Sequence, residues 1–487
     1  MKLKFYLLAC ALFFGAGVLQ AQTPNEYVVI SGKDVAADAE WSKVTEALKT
    51  KHNATVVSYK NSIDEVMPEL KKIQPRYVAI VEKPENLGRD YIIHWNKISR
   101  EVDDDIYGDF LWGVITGYDA AGAMKMVNNS TEPLLVKDAV STITEMQSGK
   151  WFDHYAWVDD HFKGLWGEKL SKDSPVQVYM TKPEDVLRKF YTMYSGFDPD
   201  IVVTASHGSE KKLEMPFSLG FMHADDGKLY ADFPIEGQQY MLESGKRKVY
   251  FAVGNCLIGN VNNTNQSMAI AWMNSGNAAT MIGYVVTTWY GRNGWGGLKY
   301  WLTTPGRYSL AEAIFLNQQD MMYQLNEWNP KLVKDVDYPH GEGSKNPHGV
   351  TMERIKEAGV ENPTIDQVGF VHDRDVLAYY GDPKWDVRLQ EIPEENDFTV
   401  TSKIEGKKCI VTIETKPNFN IRLMKGDRFK QEHVKDLPFS YFFPQRLKNP
   451  RLAEGQEWKA AVNKDFLLIY NPPFEPGQTY TVELDID

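Results

Sequence analysis

Cysteine is scarce in this chain, with three residues in a sequence of 487. Cys10 lies in an apolar N-terminal segment, so an exported mature chain would keep only Cys256 and Cys409. Two cysteines exclude the dense disulfide framework that holds small secreted domains together. Cys409 lies in the alternating stretch KKCIVTIE, which predicts a core position on a β-strand. If the chain is exported, Cys256 is then a free thiol in an oxidising environment, which calls for a functional explanation.

An excess of positive charge is also missing. Lys and Arg number 54 against 66 Asp and Glu, so the net charge is −12 and nucleic acid is not an expected partner. The ten histidines form no HExxH or comparable ligand spacing, which makes a metal hydrolase the weakest interpretation. We therefore expect no cofactor, with a structural calcium ion left open. The acidic run Asp103–Asp105 is a candidate cation site, although a solvated loop explains that run better.

Long apolar runs are absent after the N-terminus. Two lysines precede an apolar segment from Phe5 to Leu19, and Ala21 offers a cleavage site after small residues. These features are typical of a secretory signal peptide at residues 1–21, with a mature chain beginning near Gln22. No later stretch is long and apolar enough to cross a bilayer. We expect an exported protein that is periplasmic, located at the cell surface or secreted, with no membrane span.

Strand-like and helix-like segments alternate over most of the chain. YVVIS at 27–31 begins a first block, and the strand Val176–Met180 begins a second. Such alternation predicts an α/β fold, a sheet with helices on both faces, in two subdomains at residues 22–150 and 151–392. Within the first block, we expect a loop from Glu82 to Gly108. After the strand that ends at Thr116, we expect helices up to about Leu170.

The pattern changes near Pro393. From Phe398 the sequence FTVTSKIEGKKCIVTIE alternates with period two, and Ile421–Met424 is one of several further short strands predicted. Many short strands with turn signals and no helix predict an immunoglobulin-like β-sandwich at residues 393–487. All candidate catalytic residues precede this unit. We therefore expect it to be separable from the α/β part, unless it covers apolar surface of that part.

Two short apolar runs each end near a residue with reactive chemistry. DPDIVVTASHGSE leads into His207 and Gly208, and KRKVYFAVGNCLIG leads into Asn255 and Cys256. Buried strands with such ends deliver polar residues to the carboxyl edge of an open α/β sheet, where ligands bind. Two neighbouring strands of this kind would bring an imidazole beside a thiol.

A thiol and an imidazole together can form a nucleophile. The imidazole can accept the thiol proton, and the thiolate is the reactive form of cysteine. Gly208 lacks a Cβ, so its N–H and the N–H of Cys256 could bind a developing oxyanion. Taken singly, each residue is better explained as an inert core cysteine or a satisfied histidine. The functional interpretation therefore depends on the pairing of the two strand ends.

The order apolar strand–His–Gly, then apolar strand–x–Cys, resembles the caspase-like cysteine peptidases, and among them the gingipain-type peptidases of family C25. The resemblance covers about residues 77–390, and it implies that the predicted sheet is a caspase-like sheet with helices on both faces. It rests on HGSE at 207–210 and on the Cys256 strand end. Four further stretches are similar to the family: YGDFLWG at 107–113, AATMIGYVVTTW at 278–289, HGVTM at 348–352 and YGDP at 380–383.

The resemblance implies roles for individual residues. It makes His207 the general base, Cys256 the nucleophile and Asp109 the acid that orients the histidine, and it places Trp289 in the substrate pocket. Asp109 has an equally good alternative role as a cap of the loop before its strand. Glu210 could favour a basic substrate side chain, although a solvated loop charge explains it better.

The sequence therefore predicts an exported cysteine endopeptidase that acts on a peptide or protein substrate. The alternative is an inactive peptidase-like protein that binds peptides or proteins at the cell surface or in the periplasm. The two hypotheses differ in the distance between the His207 and Cys256 side chains. A peptidase needs them within hydrogen-bond reach, although the distance can be somewhat longer when no substrate is bound. Neither the oligomeric state nor the side-chain preference at the cleavage site follows from the sequence.

Overall fold

The computed structural model describes residues 26–146, 149–233, 237–262, 266–334, 347–391, 397–424 and 436–487. The predicted signal peptide at 1–21 and the predicted domain boundary at 392–393 lie outside these ranges. The helices within the described ranges are all too short or too polar to act as transmembrane spans.

Strands and helices alternate in the first part of the chain. Its strands are β1 (Tyr27–Gly32), β2 (Thr55–Tyr59), β3 (Tyr77–Val81), β4 (Leu111–Ile115), β5 (Leu134–Leu135), β6 (Asp138–Ser141), β7 (His154–Val158), β8 (Leu165–Lys169) and β9 (Gln177–Met180). Its helices are α1 (Lys33–Ala37), α2 (Ala39–His52), α3 (Met67–Ile73), α4 (Arg89–Ile98) and α5 (Ala120–Asn129).

The second part carries the candidate site. Its strands are β10 (Ile201–Thr204), β11 (Gly208–Ser209), β12 (Lys212–Glu214), β13 (Phe221–Asp225), β14 (Lys228–Phe233), β15 (Gln238–Leu242), β16 (Lys248–Ala252), β17 (Ala278–Tyr284), β18 (Leu377–Gly381) and β19 (Val387–Arg388). Its helices are α6 (Val186–Phe197), α7 (Met268–Asn274), α8 (Gly294–Thr303), α9 (Leu310–Trp328), α10 (Lys331–Lys334), α11 (Pro347–Glu357) and α12 (Ile365–Asp373).

The last part is mostly strand. Its elements are β20 (Phe398–Glu405), β21 (Lys408–Thr415), the helical turn α13 (Ile421–Met424), β22 (Phe439–Phe442), β23 (Arg451–Leu452), β24 (Ala460–Asn463), β25 (Phe466–Ile469) and β26 (Thr479–Asp485). Short 3₁₀ helices elsewhere in the chain span Ile63–Val66, Pro84–Asn86, Pro183–Asp185 and Pro216–Ser218.

Twelve strands form one continuous sheet in the order β2-β1-β3-β4-β18-β17-β16-β10-β6-β7-β8-β9. Strands β1 to β4 and β18 run parallel to one another, and so do β17, β16, β10, β6 and β7. Because β18 is antiparallel to β17, these two halves run in opposite directions. The predicted α/β fold class is confirmed. The subdomain boundary predicted at residue 150 falls between β6 and β7, which pair directly, so the sheet is not divided there.

Burial on both faces explains the apolar sequences of the central strands. Every residue of β3 (YVAIV), β10 (IVVT) and β16 (KVYFA) is buried. A strand that is covered on both faces needs no polar alternation. Lys248 is the charged exception in β16, and its Nζ lies 2.6 Å from a carboxylate oxygen of Asp198.

Asp382 directly follows β18 and connects it to the beginning of the chain. Its buried carboxylate accepts a hydrogen bond from the Tyr27 hydroxyl at 2.8 Å and lies 2.6 Å from His52 Nε2 and 2.9 Å from Lys51 Nζ. The Tyr27 and His52 rings stack with their centroids 4.1 Å apart. A buried carboxylate requires such partners. Residues from both ends of the α/β part therefore complete one polar cluster.

Three sequence predictions of secondary structure are wrong. The loop expected from Glu82 to Gly108 contains α4, because apolar residues recur there at helical spacing between polar ends. The helices expected up to Leu170 give way after α5 to β6, β7 and β8, which are too short for a clear period-two pattern. Ile421–Met424, expected as a strand, is the helical turn α13.

A separate antiparallel sheet, β11-β12-β13-β14-β15, interrupts the chain between β10 and β16. It begins immediately after His207 and ends shortly before Lys248. It keeps the ends of β10 and β16 adjacent while inserting five strands between them in the sequence.

The C-terminal part forms two small antiparallel sheets, β20-β21-β26-β23 and β22-β25-β24. Val411 and Val482 from the first sheet share a buried core with Leu467 and Ile469 from the second. This is a β-sandwich, as predicted, while its immunoglobulin-type connectivity stays a prediction. Cys409 in β21 is buried, which confirms the core position predicted for it.

One sheet of the sandwich covers apolar surface of the α/β part. Phe466 contacts the rings of Tyr107 and Phe315, with centroid distances of 5.2 and 6.1 Å. Tyr470 stacks on Tyr323 with centroids 4.0 Å apart. Phe466 and Tyr470 belong to the same continuous core as the twelve-stranded sheet. The sandwich therefore covers apolar surface of the α/β part, which is the condition under which we do not expect the two parts to be separable.

Asp109 lies at this interface and not beside His207. Its Oδ2 accepts a hydrogen bond from the Val102 N–H at 2.9 Å, while its buried Oδ1 has no hydrogen-bond partner within the described part of the chain. Lys464 of the sandwich approaches to 2.7 Å from the neighbouring Asp103. Burial, followed by the charge of Asp103, raises the pKa of Asp109 to about 7. The side chain therefore fixes the loop before β4, which is the alternative role considered for it.

Asp109→Asn is expected to change how stability depends on pH while leaving any cleavage rate unchanged. The folded-state pKa of about 7 lies above the unfolded value, so the folded protein binds more protons and stability falls as pH rises from about 4 to about 7. The amide side chain of the variant does not titrate. The fall in the free energy of unfolding between pH 4 and pH 7 should therefore be smaller than in the wild type by up to a few kcal/mol, at about 1.4 kcal/mol per unit of pKa difference. Urea unfolding at pH 5 and pH 8 measures the change. Asp104→Asn is the matched control, because Asp104 is an exposed neighbour, and this variant should unfold like the wild type. If Asp109→Asn leaves the pH dependence of unfolding unaltered, the raised pKa assigned to Asp109 is wrong.

Candidate active site

The ends of β10 and β16 lie side by side, as the sequence predicts. The two strands are parallel neighbours with Thr204 opposite Ala252. Beyond that pair, the Val253 N–H donates to the Thr204 carbonyl at 3.0 Å. The segments that carry His207 and Cys256 therefore leave the sheet at the same edge from adjacent positions.

Asn255 holds the two strand ends together. Its Oδ1 accepts a hydrogen bond from the Thr204 hydroxyl at 2.7 Å, and its Nδ2 donates to the Ser206 carbonyl at 2.9 Å. Asn255 is fully buried, where an amide without partners would cost about 1 to 3 kcal/mol. The residue before Cys256 thus fixes the position of the residue before His207. Sequence reasoning gave Asn255 no such role.

Gly208 permits a close approach between the two loops. A Cβ at this position would lie 3.0 Å from the Cys256 carbonyl oxygen and 3.0 Å from the Ile258 side chain. Contacts this short are tighter than ordinary van der Waals packing, so a larger residue would push the loops apart. The backbones of Gly208 and Cys256 are therefore neighbours, which is the placement that a shared oxyanion site would require.

The Cys256 thiol faces the loop after β17. Its Sγ donates to the Thr288 carbonyl and accepts from the Thr288 N–H, both at 3.4 Å. Burial raises the pKa of the Cys256 thiol; the Thr288 N–H acts in the opposite direction, and the charge of Asp373 adds to the rise. Neither hydrogen bond of the thiol involves His207. In this conformation the sulfur is therefore a neutral thiol held by backbone groups.

Asp373 fixes the loop that holds the thiol. Its carboxylate accepts hydrogen bonds from the Thr288 hydroxyl and the Tyr284 hydroxyl, both at 3.2 Å, and from the Arg292 N–H. Burial raises the pKa of this carboxyl. Sequence reasoning missed Asp373, although the charged run HDRD at 372–375, directly before a buried strand, marks an unusual position.

His372 supports the same loop from the other side. Its Nε2 lies 2.9 Å from the Thr287 carbonyl oxygen and its Nδ1 3.0 Å from the Thr351 hydroxyl. Burial lowers the pKa of His372, so the ring is neutral and can donate to Thr287. Thr351 belongs to the HGVTM stretch that contributes to the family resemblance, and this contact gives that stretch a structural role.

Glu214 is the carboxylate opposite His207. The pairing of β11 with β12 places Gly208 opposite Leu213, so His207 lies across from Glu214, and the Glu214 N–H donates to the His207 carbonyl at 2.9 Å. Side chains at such opposed positions share one face and lie within reach of each other. The Ser218 hydroxyl, which donates to the carboxylate at 2.6 Å, lowers the pKa of Glu214. Lys212, whose Nζ lies 3.4 Å from the other carboxylate oxygen, and then the charge of His207 lower it further. His207 is exposed, so a substrate can reach the pair.

The role of Asp109 as the acid that orients His207 needs correction. Its strand, β4, lies four positions from β10 in the sheet, which is about 19 Å at the usual strand spacing. The error arose because a match of sequence motifs does not specify which strands become neighbours. Glu214 could have been found from the hairpin pattern of HGSEKKLE, where two short strands flank a tight turn.

The remaining predicted site residues, Trp289 and Glu210, have different surroundings. Trp289 is 58% exposed and directly follows Thr288, with its ring near His348 and His372 at centroid distances of 6.4 Å. The Glu210 carbonyl accepts a hydrogen bond from the Met268 N–H at 2.7 Å, at the turn between β11 and β12. Trp289 is therefore placed to contact a ligand of Cys256, whereas Glu210 connects the turn to the start of α7.

The part of the chain that the structure describes contains no group of three or more His, Cys, Asp or Glu side chains arranged to hold a metal ion. The carboxylates of the candidate cation run have other neighbours, since Asp103 pairs with Lys464 and Asp105 accepts from Asn463 Nδ2 at 2.9 Å.

Comparison with known proteins gives matches to solved structures. Gingipain structures are similar to this chain. One is gingipain R, an Arg-specific cysteine proteinase, with 11% sequence identity and a TM-score of 0.38 over 95% of this chain and 92% of the other. A complex of the pro- and mature domains of Porphyromonas gingivalis RgpB gives 11% identity and a TM-score of 0.39 over 95% and 93%. A third structure, described as a protease, gives 9% identity and a TM-score of 0.36 over 95% of both chains.

No family model matches the sequence. No curated protein matches it. The function of the chain is therefore argued from its own residues.

Proposed function

We propose that the protein is a cysteine peptidase in which Cys256 is the nucleophile and His207 the general base. The observation that carries this proposal is the pair of adjacent strand ends, joined through buried Asn255, that present a thiol and an exposed imidazole at one edge of the sheet. An exposed tryptophan beside the thiol supplies a contact surface for a peptide.

The reaction begins with a change of partner for the sulfur. A rotation about the Cys256 side chain releases Sγ from Thr288 and turns it toward His207, which accepts the thiol proton. The thiolate then attacks the scissile carbonyl carbon, and backbone N–H groups near Gly208 and Cys256 stabilise the oxyanion. His207 protonates the leaving amine, the carbonyl re-forms as a thioester, and water hydrolyses the thioester with His207 as base.

Glu214 is a positioning residue in this mechanism. A carboxylate beside the imidazole stabilises the imidazolium that forms when the thiol proton is transferred. Glu214 occupies the cross-strand position, and its own hydrogen bond to Ser218 holds it in place. This assignment replaces Asp109 with a residue of the same hairpin as His207.

The raised pKa of Cys256 is consistent with a thiol that is activated only when substrate is present. Burial and Asp373 disfavour the thiolate, so a resting ion pair with His207 is not the stable form in this conformation. A bound peptide that displaces the Thr288 loop would remove both hydrogen bonds of the thiol. The proposed enzyme is therefore slow toward small alkylating agents and faster toward peptide-like ones.

A second function is favoured by one observation, the engagement of the thiol with Thr288 and not with His207. If that state persists with ligand bound, the protein binds peptides at the same edge without cleaving them. The N-terminal segment supports export in both cases, to the periplasm, the cell surface or the medium. A protein or peptide is the proposed partner in either case.

Labelling with peptidyl electrophiles tests the proposal. A panel of peptidyl chloromethyl ketones should modify Cys256 and leave Cys409 unmodified, with the adduct located by mass spectrometry. His207→Ala should slow labelling by about 10²- to 10⁴-fold, the usual range for a general base. Glu214→Gln should slow it less and move the acidic limb of the pH–rate profile to lower pH, because a carboxylate that stabilises the imidazolium is lost.

The two candidate functions give different outcomes in this experiment. Peptide binding without labelling, detected by calorimetry on the same panel, would favour the non-catalytic protein. Equal labelling of both cysteines, or labelling that is independent of His207, would remove the proposed dyad.

A further inference from the structure

A cavity of about 360 Å³ lies between α9, α12 and the β-sandwich. An engineered apolar cavity of about 150 Å³ already holds benzene, so this space has room for a small organic molecule. Its walls are charged as well as apolar. The lining residues that decide its chemistry are Arg292, Asp320, Gln324, Trp328, Asp366 and Phe370.

Arg292 brings an unsatisfied positive donor to this cavity. It is only 4% exposed, and its Nη2 donates to a carboxylate oxygen of Asp366. Its Nε and Nη1 have no hydrogen-bond partner within the described part of the chain. Nε is enclosed by α12, because a Cβ on Gly369 would lie 2.9 Å from it. The N–H groups of Nη1 are therefore the part of the guanidinium that remains for a ligand, and a carboxylate is the acceptor that fits them.

Asp320 supplies a negative charge to the same cavity. Its hydrogen bonds come from neutral groups, namely the hydroxyls of Tyr470 at 2.9 Å and Tyr300 at 3.1 Å, and Gln324 Nε2 at 3.4 Å. A carboxylate has about four acceptor positions, so one remains. Burial raises the pKa of Asp320 to about 6, which is the direction expected of a carboxylate that touches no cation. A bound ammonium group would supply that cation.

The two charged groups lie at the same end of the cavity. Asn317 of α9 donates through Nδ2 to the Arg292 carbonyl at 3.2 Å, and Asp320 is three residues further along this helix. Residues three apart lie on one face of a helix, about 5 Å from each other. One small ligand that carries both signs of charge can therefore reach the guanidinium and the carboxylate together.

The cavity also has apolar walls. Trp328 lies beyond Asp320 on α9, by about 12 Å at the usual rise of about 1.5 Å per residue. Phe370 lies on the opposite wall, one turn after Asp366 in α12. Both side chains stay partly exposed although they pack against a buried core. Apolar surface is therefore left for a ligand, as in most small-molecule sites.

We propose that this cavity binds a free α-amino acid with a large apolar side chain. The ligand carboxylate pairs with Nη1 of Arg292, its ammonium group pairs with Asp320, and its side chain packs against Trp328 and Phe370. An α-amino acid carries its two charges on one carbon atom, which matches two charged groups at one end of a cavity. Cys256 is not among the lining residues, so binding does not depend on the proposed peptidase activity.

A ligand with one charge leaves an unpaired group in the site. An amine would pair with Asp320 and leave the buried Nη1 of Arg292 without an acceptor. A simple carboxylic acid would do the reverse. Buried polar groups without partners are unfavourable, and more so when they are charged. Affinity should therefore depend on both charged groups of the ligand together.

Titration calorimetry on the full chain tests the class of ligand. L-Phenylalanine should bind with a Kd below about 1 mM, as expected for a small ligand that is largely buried. Phenethylamine lacks the carboxylate, 3-phenylpropanoate lacks the ammonium group, and N-acetylphenylalanine amide lacks both charges. Each should bind about tenfold more weakly or worse. An analogue that binds as tightly as phenylalanine, or no saturable binding of phenylalanine up to about 10 mM, would overturn the proposal.

Substitutions on α9 locate the binding. Asp320→Asn should weaken phenylalanine binding by about tenfold or more, because the amide has no charge to pair with the ammonium group. Glu327→Gln is the matched control, since Glu327 is an exposed carboxylate of the same helix outside the cavity lining, and this variant should bind like the wild type. Gln324→Trp keeps both charged groups and fills the cavity, so it should abolish binding even if Asp320→Asn does not fold. Wild-type affinity in Gln324→Trp would overturn the proposal.

The edge of the sheet at Cys256 is the other place where an aromatic amino acid could bind. Trp289→Ala separates the two places, because Trp289 directly follows Thr288 and does not line the cavity. This variant should bind phenylalanine like the wild type, whereas Gln324→Trp should not bind it. The reverse pattern would assign the binding to the Cys256 edge and overturn the proposal. Since no measurement uses cleavage, an inactive protein would give the same results.

Discussion

Cys256→Ser is expected to abolish peptide cleavage and leave the fold intact. A serine hydroxyl can keep both hydrogen bonds to Thr288, so the thermal midpoint should change by no more than a few degrees. The hydroxyl is a far weaker nucleophile at neutral pH than a cysteine thiolate. Loss of a catalytic nucleophile costs up to about 10⁶-fold in kcat. Cleavage of a peptide library, followed by mass spectrometry, measures the loss.

Cys409→Ser is the matched control for this variant. Cys409 is 1% exposed in β21, and burial raises its pKa. A hydroxyl in that core lacks a ready partner, so the sandwich should be destabilised by about 1 to 3 kcal/mol while cleavage continues. The opposite pattern, with cleavage lost in Cys409→Ser and kept in Cys256→Ser, would remove the proposed nucleophile.

Removal of the β-sandwich is expected to prevent the α/β part from folding to a soluble form. A chain that ends near Ile392 would expose the rings of Tyr107, Phe315 and Tyr323. Each buried aromatic side chain contributes about 1.5 to 3 kcal/mol, so exposing three forfeits roughly 5 kcal/mol or more. That loss is comparable with the total stability of many domains, about 5 to 15 kcal/mol.

Buried charges add to this effect. Arg76 of the α/β part is 6% exposed; its guanidinium lies 3.2 Å from Asp465 of the sandwich and donates to the Phe443 carbonyl at 2.6 Å. Without the sandwich, Arg76 would lose these partners. Circular dichroism and light scattering on the truncated chain measure the outcome, with the full chain as control. A soluble, cooperatively unfolding truncation that retains labelling at Cys256 would show two independent units.

The strand ends were predictable from the sequence because they depend on local patterns. IVVT before His207 and KVYFA before Cys256 are short apolar runs, and parallel buried strands produce such runs regardless of the rest of the fold. These features identified the edge of the sheet and the two candidate catalytic residues.

The partners of those residues were not predictable in the same way. Thr288 contacts Cys256, and Asp373 in turn contacts Thr288. These residues come from segments separated in sequence, which the antiparallel pairing of β17 with β18 brings together. No periodic pattern encodes which strands become neighbours. Asp109 was misassigned for this reason, whereas Glu214 belongs to the hairpin of His207 and was within reach of local reasoning.

The position of β18 between β4 and β17 also has a consequence for the order in which the chain can fold during synthesis. The strands β1 to β4 leave the ribosome first, yet β4 keeps an open edge until β18 has been made, near the end of the α/β part. The polar cluster of Tyr27 and His52 likewise waits for Asp382. Contacts between distant parts of a chain slow folding and leave unpaired edges exposed in the meantime. We therefore expect nascent chains that stop before Leu377 to be protease-sensitive and dependent on chaperones, and protection to appear only once Asp382 has emerged.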